Sequence, residues 1–476
     1  MRKKLLVLLS VILSLSLITA PSNAAVKAGA KCIKAGATSV SAGKKYTCVK
    51  SGTRLVWNKG VTVKAATKPD LNPVFKPEEP TPTPTPTPTV KSFAYQPPSE
   101  ATDNVDLCKI KEASKSRGYT GAGFPEWTPL TKNSGTVKWA LIPIDFADLP
   151  GEANFSSRVE NQMKLLTEWF EVVSEGKFKV EWVLMDKWVR LPNPSRDYQI
   201  SNSQNLGDVA NGSKLWTEAM NAADPVFDFT NIQTVNFILP KGQTFLNETS
   251  QGFPWDAAVK NLKTNEGSVA SFSIPGVFME APGTEYWSYW AHEFGHAIGL
   301  PHVGASRGEL PPFKPFDLMG GQDGPTRELS GWLRFYARWL ADEKVYCKES
   351  TKLKSVDLTL VPLSGTDSGL KFVVIPVSAT KAVLVESRRV TKFSCGSRTA
   401  NGVLVYTYDA TLGHGDNFLM PVIPSGRQAL SQSGTPCRVQ PFADPLLYEG
   451  EKITVEGVTI EVLMHGNYDR IRITKP

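Results

Sequence analysis

The chain has 476 residues, 41% hydrophobic and 21% charged, which supports two or three folded domains and excludes a wholly disordered polypeptide. Its formal charge of +7 is unevenly placed: residues 25–100 carry a net +8, residues 2–4 three more basic groups, and the remaining 376 residues sum to −4. The basic excess therefore belongs to the N-terminal region, and no nucleic-acid partner is expected for the mildly acidic remainder.

Residues 1–24 read as a signal peptide: Arg2-Lys3-Lys4, an apolar run from Leu5 to Ile18, then Ser22 and Ala24 suited to cleavage after Ala24. The apolar run is about 14 residues, short of the roughly 20 that cross a bilayer, so export without a transmembrane anchor is expected. Residues 25–64 form a small basic module bracketed by Cys32 and Cys48, with short strands at Gly43–Cys48 and Leu55–Trp57. Its charge suits an anionic cell-wall polymer or membrane surface. Residues 65–104 are a linker whose Pro-Thr repeats, Pro80 to Thr89, favour an extended, semi-rigid conformation.

Residues 105–350 show an α+β pattern. Val137–Phe146 and Val235–Leu239 read as buried strands and Arg158–Val173 as an amphipathic helix. A second helix is expected from near Thr284, with Trp287, Ala291, Phe294 and Ile298 on its apolar face. The opposite face of this helix carries chemistry. His292 and His296 stand four apart, so both imidazoles project from one side and can reach one ion at about 2.0–2.1 Å. Glu293 lies off that face but close enough to act on water as a general base. His302 follows six residues after His296, so the chain must turn to bring it back; Gly299 tolerates the left-handed conformation of a helix end, and Pro301 discourages the helix from resuming. Three His ligands leave a fourth position open, as in a catalytic rather than a structural zinc site.

The run His292-Glu-Phe-Gly-His-Ala-Ile-Gly-Leu-Pro-His302 resembles the signature of the metzincin metallopeptidases. That resemblance implies a zincin-like catalytic domain, one zinc ion, and a tight turn carrying a Met beneath it. Phe316-Asp-Leu-Met319-Gly320 fits the turn, 17 residues after His302. Segments at 135–148, 170–192, 331–333, 384–388 and 402–406 are similar to the secreted bacterial metallopeptidases of the immune inhibitor A type. The residue two after the Met is Gly321, where some metzincins place a Tyr that assists catalysis. Metzincin resemblance further implies that a peptide substrate lies antiparallel to an edge strand, for which Ser268–Ile274 is the candidate.

Beyond 350, alternating segments at Lys371–Val377, Ala382–Glu386 and Val403–Tyr408 indicate a C-terminal β-sandwich over residues 351–476. Six cysteines in an exported chain point to disulfides; sequence alone allows about 15 pairings, and domain proximity favours Cys32–Cys48 and Cys395–Cys437, leaving Cys108–Cys347 to join the ends of the catalytic domain. Asp317 and Gln322-Asp323-Gly324 offer oxygen ligands for a calcium ion. His414, in Gly-His-Gly-Asp, and His465, beside Gly-Asn, read as surface turns. The functional expectation is a secreted zinc endopeptidase acting on proteins or peptides. The alternative is a surface-attached, adhesin-like binding protein with a silent zinc domain, which an intact Glu293 argues against.

Overall fold

The protein is described from a computed structural model, which covers residues 27–41, 44–62, 91–114, 121–127, 129–200, 206–246, 250–251, 263–276, 285–304, 312–322, 324, 326–394, 401–432 and 439–475. The expected signal peptide, the Pro-Thr repeats, Thr284, Asp323, Cys395 and Cys437 lie outside these residues. The chain divides into two compact units, Met1–Thr87 and Pro88–Pro476.

In the first unit, β1 (Thr38–Ser41), β2 (Lys44–Ser51), β3 (Arg54–Trp57) and β4 (Val61–Thr62) form an antiparallel sheet in which β2 pairs with the other three. So small a sheet buries few side chains, and a Cys32–Cys48 disulfide staples it across its core.

The second unit is built around β5 (Gly135–Asp145), an apolar run that behaves as a central parallel strand should. Around it come α1 (Ser156–Val173), β6 (Phe178–Leu184), β7 (Val189–Arg190), α2 (Leu206–Ala223), β8 (Ile232–Ile238), β9 (Ser250–Gln251), the β10–β11 hairpin (Lys263–Thr264, Gly267–Ser268) and β12 (Ser271–Pro275). The sheet order is β6-β5-β8-β12-β9, with β7 extending β6's side of β5; all pairings are parallel except β12 with β9. Side chains of β5 alternate between its two faces. Val137, Trp139 and Leu141 pack with Leu166, Trp169 and Phe170 of α1 and with α3 (Trp287–Ala297). Ala140, Ile142 and Ile144 instead pack with Leu215, Trp216 and Ala219 of α2. The apolar face expected for α3 is buried as such, Trp287 and Ala291 at 0% and Phe294 and Ile298 at 2% exposure. The candidate substrate strand differs from expectation: Ile274 and Pro275 of β12 are already paired with β9, so β12 is not the outermost strand, and Gly267–Ser268 belongs to a hairpin instead.

After α4 (Gly331–Tyr336) the chain becomes all β: β13 (Val345–Cys347), β14 (Ser355–Leu360), β15 (Phe372–Pro376), β16 (Lys381–Arg388), β17 (Gly402–Asp409), β18 (Leu419–Pro421), β19 (Ala429–Gln432), β20 (Val439–Ala443), β21 (Leu446–Leu447), β22 (Lys452–Val455), β23 (Val458–His465) and β24 (Asp469–Thr474). One sheet runs β13-β15-β16-β17-β18 with β21 also on β17; a second runs β14-β24-β23-β22. Val373, Val383, Val385 and Val405 of the first sheet share an apolar cluster with Leu358, Ile460, Val462 and Ile471 of the second. On the other face of the first sheet, Phe372, Val374, Leu384, Leu404 and Tyr406 join the cluster that contains α3, Met319 and Trp332. The β region thus forms one wall of the core that carries the histidine motif.

A Cys108–Cys347 disulfide closes a 239-residue span. Residues 91–104, assigned to the linker by composition, run along the β region: Phe93 N–H donates to Asn467 (2.9 Å), Ser99 N–H to the Asp357 carbonyl (3.0 Å), and Tyr95 packs edge-on against Tyr468. Among the described residues, no helix is long and apolar enough to cross a membrane.

Candidate metal centre

Helix α3 ends as its sequence requires. Gly299 has φ +97°, and its N–H bonds the His296 carbonyl (3.1 Å) while the Leu300 N–H reaches back to Gly295 (2.9 Å). This pair of bonds is a Schellman ending, which satisfies two carbonyls the helix would otherwise leave open and reverses the chain. Pro301 follows, and His302 returns toward the helix. The ligand-capable nitrogens of His292, His296 and His302 lie within 4.8 Å of one another, the first two imidazoles buried and the third partly so. The Nε2 atoms of His292 and His302 are 2.7 Å apart.

Each helix imidazole is oriented by a backbone oxygen. His292 Nδ1 lies 2.8 Å from the Leu318 carbonyl, and His296 Nδ1 lies 2.9 Å from the Leu300 carbonyl. A carbonyl only accepts, so both Nδ1 atoms carry hydrogen and both Nε2 atoms present a lone pair inward. Burial, reinforced by the other imidazoles, holds His292 and His296 well below the usual histidine pKa, and burial lowers His302 to about 4. Three imidazoles held neutral by burial, two of them with lone pairs turned toward the third ring, fit a borderline-soft divalent ion such as zinc.

Glu293, partly buried, is pushed up to about 8 by desolvation in the metal-free chain. Behind it, Thr234 and Asn236 of β8, Ser271 and Ser273 of β12, and Trp139 and Trp290 line a cavity of about 10 Å³, roughly the room of one water. Thr234 and Ser271 hydroxyls are 2.6 Å apart, and Ser273 donates to Asn236 Oδ1 (3.2 Å). Sequence reading missed this polar lining. Its signal was the placing of Thr234/Asn236 and Ser271/Ser273 two apart on otherwise buried strands, one polar row facing α3.

The Phe316–Gly320 turn underlies the histidines. Met319 packs under α3 at Gly295, where an added Cβ would stand 2.8 Å from Met319 Sδ. The turn also supplies the Leu318 oxygen that orients His292, and the Met319 carbonyl accepts the Val303 N–H (3.0 Å), next to His302. Asp317 holds the turn by accepting N–H bonds from Met319 (2.7 Å) and Ser330 (2.8 Å), and burial raises its pKa to about 6. Those bonds engage both Asp317 oxygens offered for calcium, and Asp323 lies outside the described residues. Buried Arg388 of β16 donates to the Phe316 carbonyl (2.9 Å) and pairs with Glu386. At Gly321, an added Cβ would meet the Lys314 side chain at 2.4 Å, so a larger residue there would have to displace it.

His414 is not the plain surface turn its neighbours implied. Its ring is stacked on His302 (centroids 5.6 Å apart, planes 13° apart) and lies 5.6 Å from His296. Gly-His-Gly-Asp signals a turn, but nothing local in it says where in space the turn lands. His465 pairs with Asp469 (2.6 Å) on the second sheet, away from this cluster.

No protein-family model and no curated protein matches the chain. Among solved structures, archaemetzincin from Methanopyrus kandleri aligns at 14% identity over 43% of this chain and 94% of its own, with a TM-score of 0.23. Metalloproteinase-II from Bacteroides fragilis aligns at 15% identity over 45% of this chain and 53% of its own, TM-score 0.23. OgpA from Akkermansia muciniphila aligns at 12% identity over 75% of this chain and 96% of its own, TM-score 0.26. Likeness at this level assigns the chain no fold.

Proposed function

We propose that the chain is an exported zinc endopeptidase of metzincin type, with His292, His296 and His302 as metal ligands and Glu293 as general base. The observation that carries this reading is the triad of imidazoles with ligand-capable nitrogens within 4.8 Å of one another, two of them fixed in the binding tautomer, on the helix that carries the Glu293 carboxylate. The signature motif supports it, and with it the resemblance to the immune inhibitor A type. Zinc held there supplies a Lewis acid and makes water acidic enough to give up a proton near neutral pH. Glu293 accepts that proton and passes it to the leaving amine nitrogen. A dication beside Glu293 favours its charged form, reversing the neutral state that burial imposes on the metal-free chain. Met319 forms the floor beneath α3 without acting as a ligand, and the Leu318 and Leu300 carbonyls keep two ligand rings in the binding tautomer.

The domain reading that goes with this function is a signal peptide (1–24), a basic attachment module (25–64), a linker (65–104) whose last part, 91–104, lies along the β region, the peptidase domain (105–350) and a β-sandwich domain (351–476). In this reading the basic module directs the enzyme to anionic cell-wall polymer. The test uses purified full-length protein on a denatured protein substrate. Cleavage should be abolished by chelator and restored by zinc, at about one zinc per chain. A chain that binds no zinc after reconstitution, or cleaves equally well in chelator, would refute it.

A further inference from the structure

His292 and His296 are placed by the helical repeat, whereas His302 lies beyond the Schellman ending, outside that repeat. Its peptide is gripped from the β region instead. The His302 N–H donates to His414 Nδ1 (3.1 Å), the Gly415 N–H donates to the His302 carbonyl (3.2 Å), and two residues on the Gly304 N–H donates to the Asp416 carbonyl (3.0 Å). The gripping loop, between β17 and β18, is itself a fixed turn. Asp416 N–H bonds the Gly413 carbonyl (2.9 Å), the Asp416 side chain accepts the Gly413 N–H (3.2 Å), and Gly415 takes φ +79° at the third position, as a type II turn requires. His414 sits at the second position of that turn.

We propose that His414 is a positioning residue for the third metal ligand: its Nδ1 accepts the His302 amide and fixes the direction in which the His302 imidazole points. The assignment rests on the zinc-site reading above. A backbone N–H can only donate, so His414 Nδ1 must accept and the ring is held neutral with its hydrogen on Nε2. The parallel stacking on His302 limits rotation of that imidazole as well. The peptidase segment alone thus supplies the three ligands, and the β region, through one turn, sets the geometry of the last of them.

Two amide residues separate the nitrogens. The Oδ1 of Asn stands near the place of Nδ1 and can accept, whereas Gln extends a donor toward the place of Nε2. Zinc affinity is measured by competition with a chromophoric chelator on full-length wild type and on His414→Ala, His414→Gln and His414→Asn, together with the unfolding midpoint of each metal-free protein. His414→Ala and His414→Gln should bind zinc about 10–100-fold more weakly, the usual loss when a ligand's supporting bond is removed. His414→Asn should recover most of that affinity, with metal-free midpoints close to wild type throughout. Unchanged affinity in His414→Ala overturns the proposal, as does rescue by Gln rather than Asn. So does a loss of affinity that follows the loss of metal-free stability across the series, because that would mark His414 as general packing. Wild-type protein that binds no zinc would overturn the zinc reading itself, a separate result.

Discussion

Helix α3 and the β17–β18 turn meet at the same histidine cluster but are built on different rules. The helix places His292 and His296 by its own repeat, within one turn, and ends on bonds among residues 295 to 300. The β17–β18 turn reaches His302 from 112 residues further along the chain, and only because the first C-terminal sheet shares a core with α3. The histidines proposed as ligands come from one short segment; of the groups that hold them, Leu300 belongs to that segment, while Leu318, Arg388 and His414 lie outside it. Pre-organisation of this kind costs long-range folding, since those supports exist only once the β region has packed.

The sharpest test of the helix side is Glu293→Gln. It keeps the size of the side chain and removes its ability to take a proton, so kcat/KM on a peptide substrate should fall by about 10²–10⁴-fold while zinc content stays near one per chain. An active variant would take Glu293 out of the mechanism and leave the helix with a binding role only.

On the β side, the largest effect should come from Arg388→Met. Arg388 is 2% exposed, bonded to the Phe316 carbonyl and paired with Glu386, which is 0% exposed. Removing one member of a buried pair leaves the other charge uncompensated, at about 3–5 kcal/mol. Urea unfolding should show that loss. If the Met319 turn depends on β16 as the bonding implies, zinc affinity should weaken in the folded fraction as well. Stability loss with unchanged affinity would show that the turn stands without the β region.

Met319→Leu tests the contact between the two. The replacement is close in volume, so stability should fall by less than about 1.5 kcal/mol, with a modest drop in activity and zinc retained. Gly295 allows the approach because it has no Cβ, and the Leu branch will press on that point where the thioether does not.

The difference between the two regions also explains what could be read from the amino acids. The α3 motif was legible because spacing within a helix is a local property: His292, His296, the reversal at Gly299 and the apolar face from Trp287 to Ile298 all follow from period and chain reversal. The strands β5, β8, β15, β16 and β17 were legible for the same reason, as was the Cys32–Cys48 pairing; Cys108–Cys347, 239 residues apart, followed only as the pair left over. The role of His414 was not, because a Gly-His-Gly-Asp turn has the same local sequence whether it faces solvent or a ligand. The packing of residues 91–104 on the β region was hidden similarly: composition marks a linker, while Phe93 and Tyr95 find partners only in the folded sheet. The covering of β12 by β9 depends on a two-residue pairing too short to carry a pattern.

The smallest expected effect is the pH dependence of the metal-free protein, where Glu293 and His302 oppose one another. Glu293 is raised from an ordinary value of 4.5 to about 8, so the folded chain binds more protons there than the unfolded chain, and stability from this group is lost as pH rises through that window. His302 is lowered from 6.5 to about 4, so its contribution is present above 6.5 and lost as pH falls toward 4. His292 and His296 act in the same direction as His302. The metal-free wild type should therefore lose stability on both the acid and the alkaline side of a maximum. In Glu293→Gln the alkaline loss should shrink while the acid loss remains, because only the carboxylate has been removed. Thermal midpoints across pH 4 to 8, in chelator, read both limbs. An alkaline limb unchanged in the variant would mean that Glu293 is better solvated than its place beside α3 implies, and that desolvation of the carboxylate does not set its protonation.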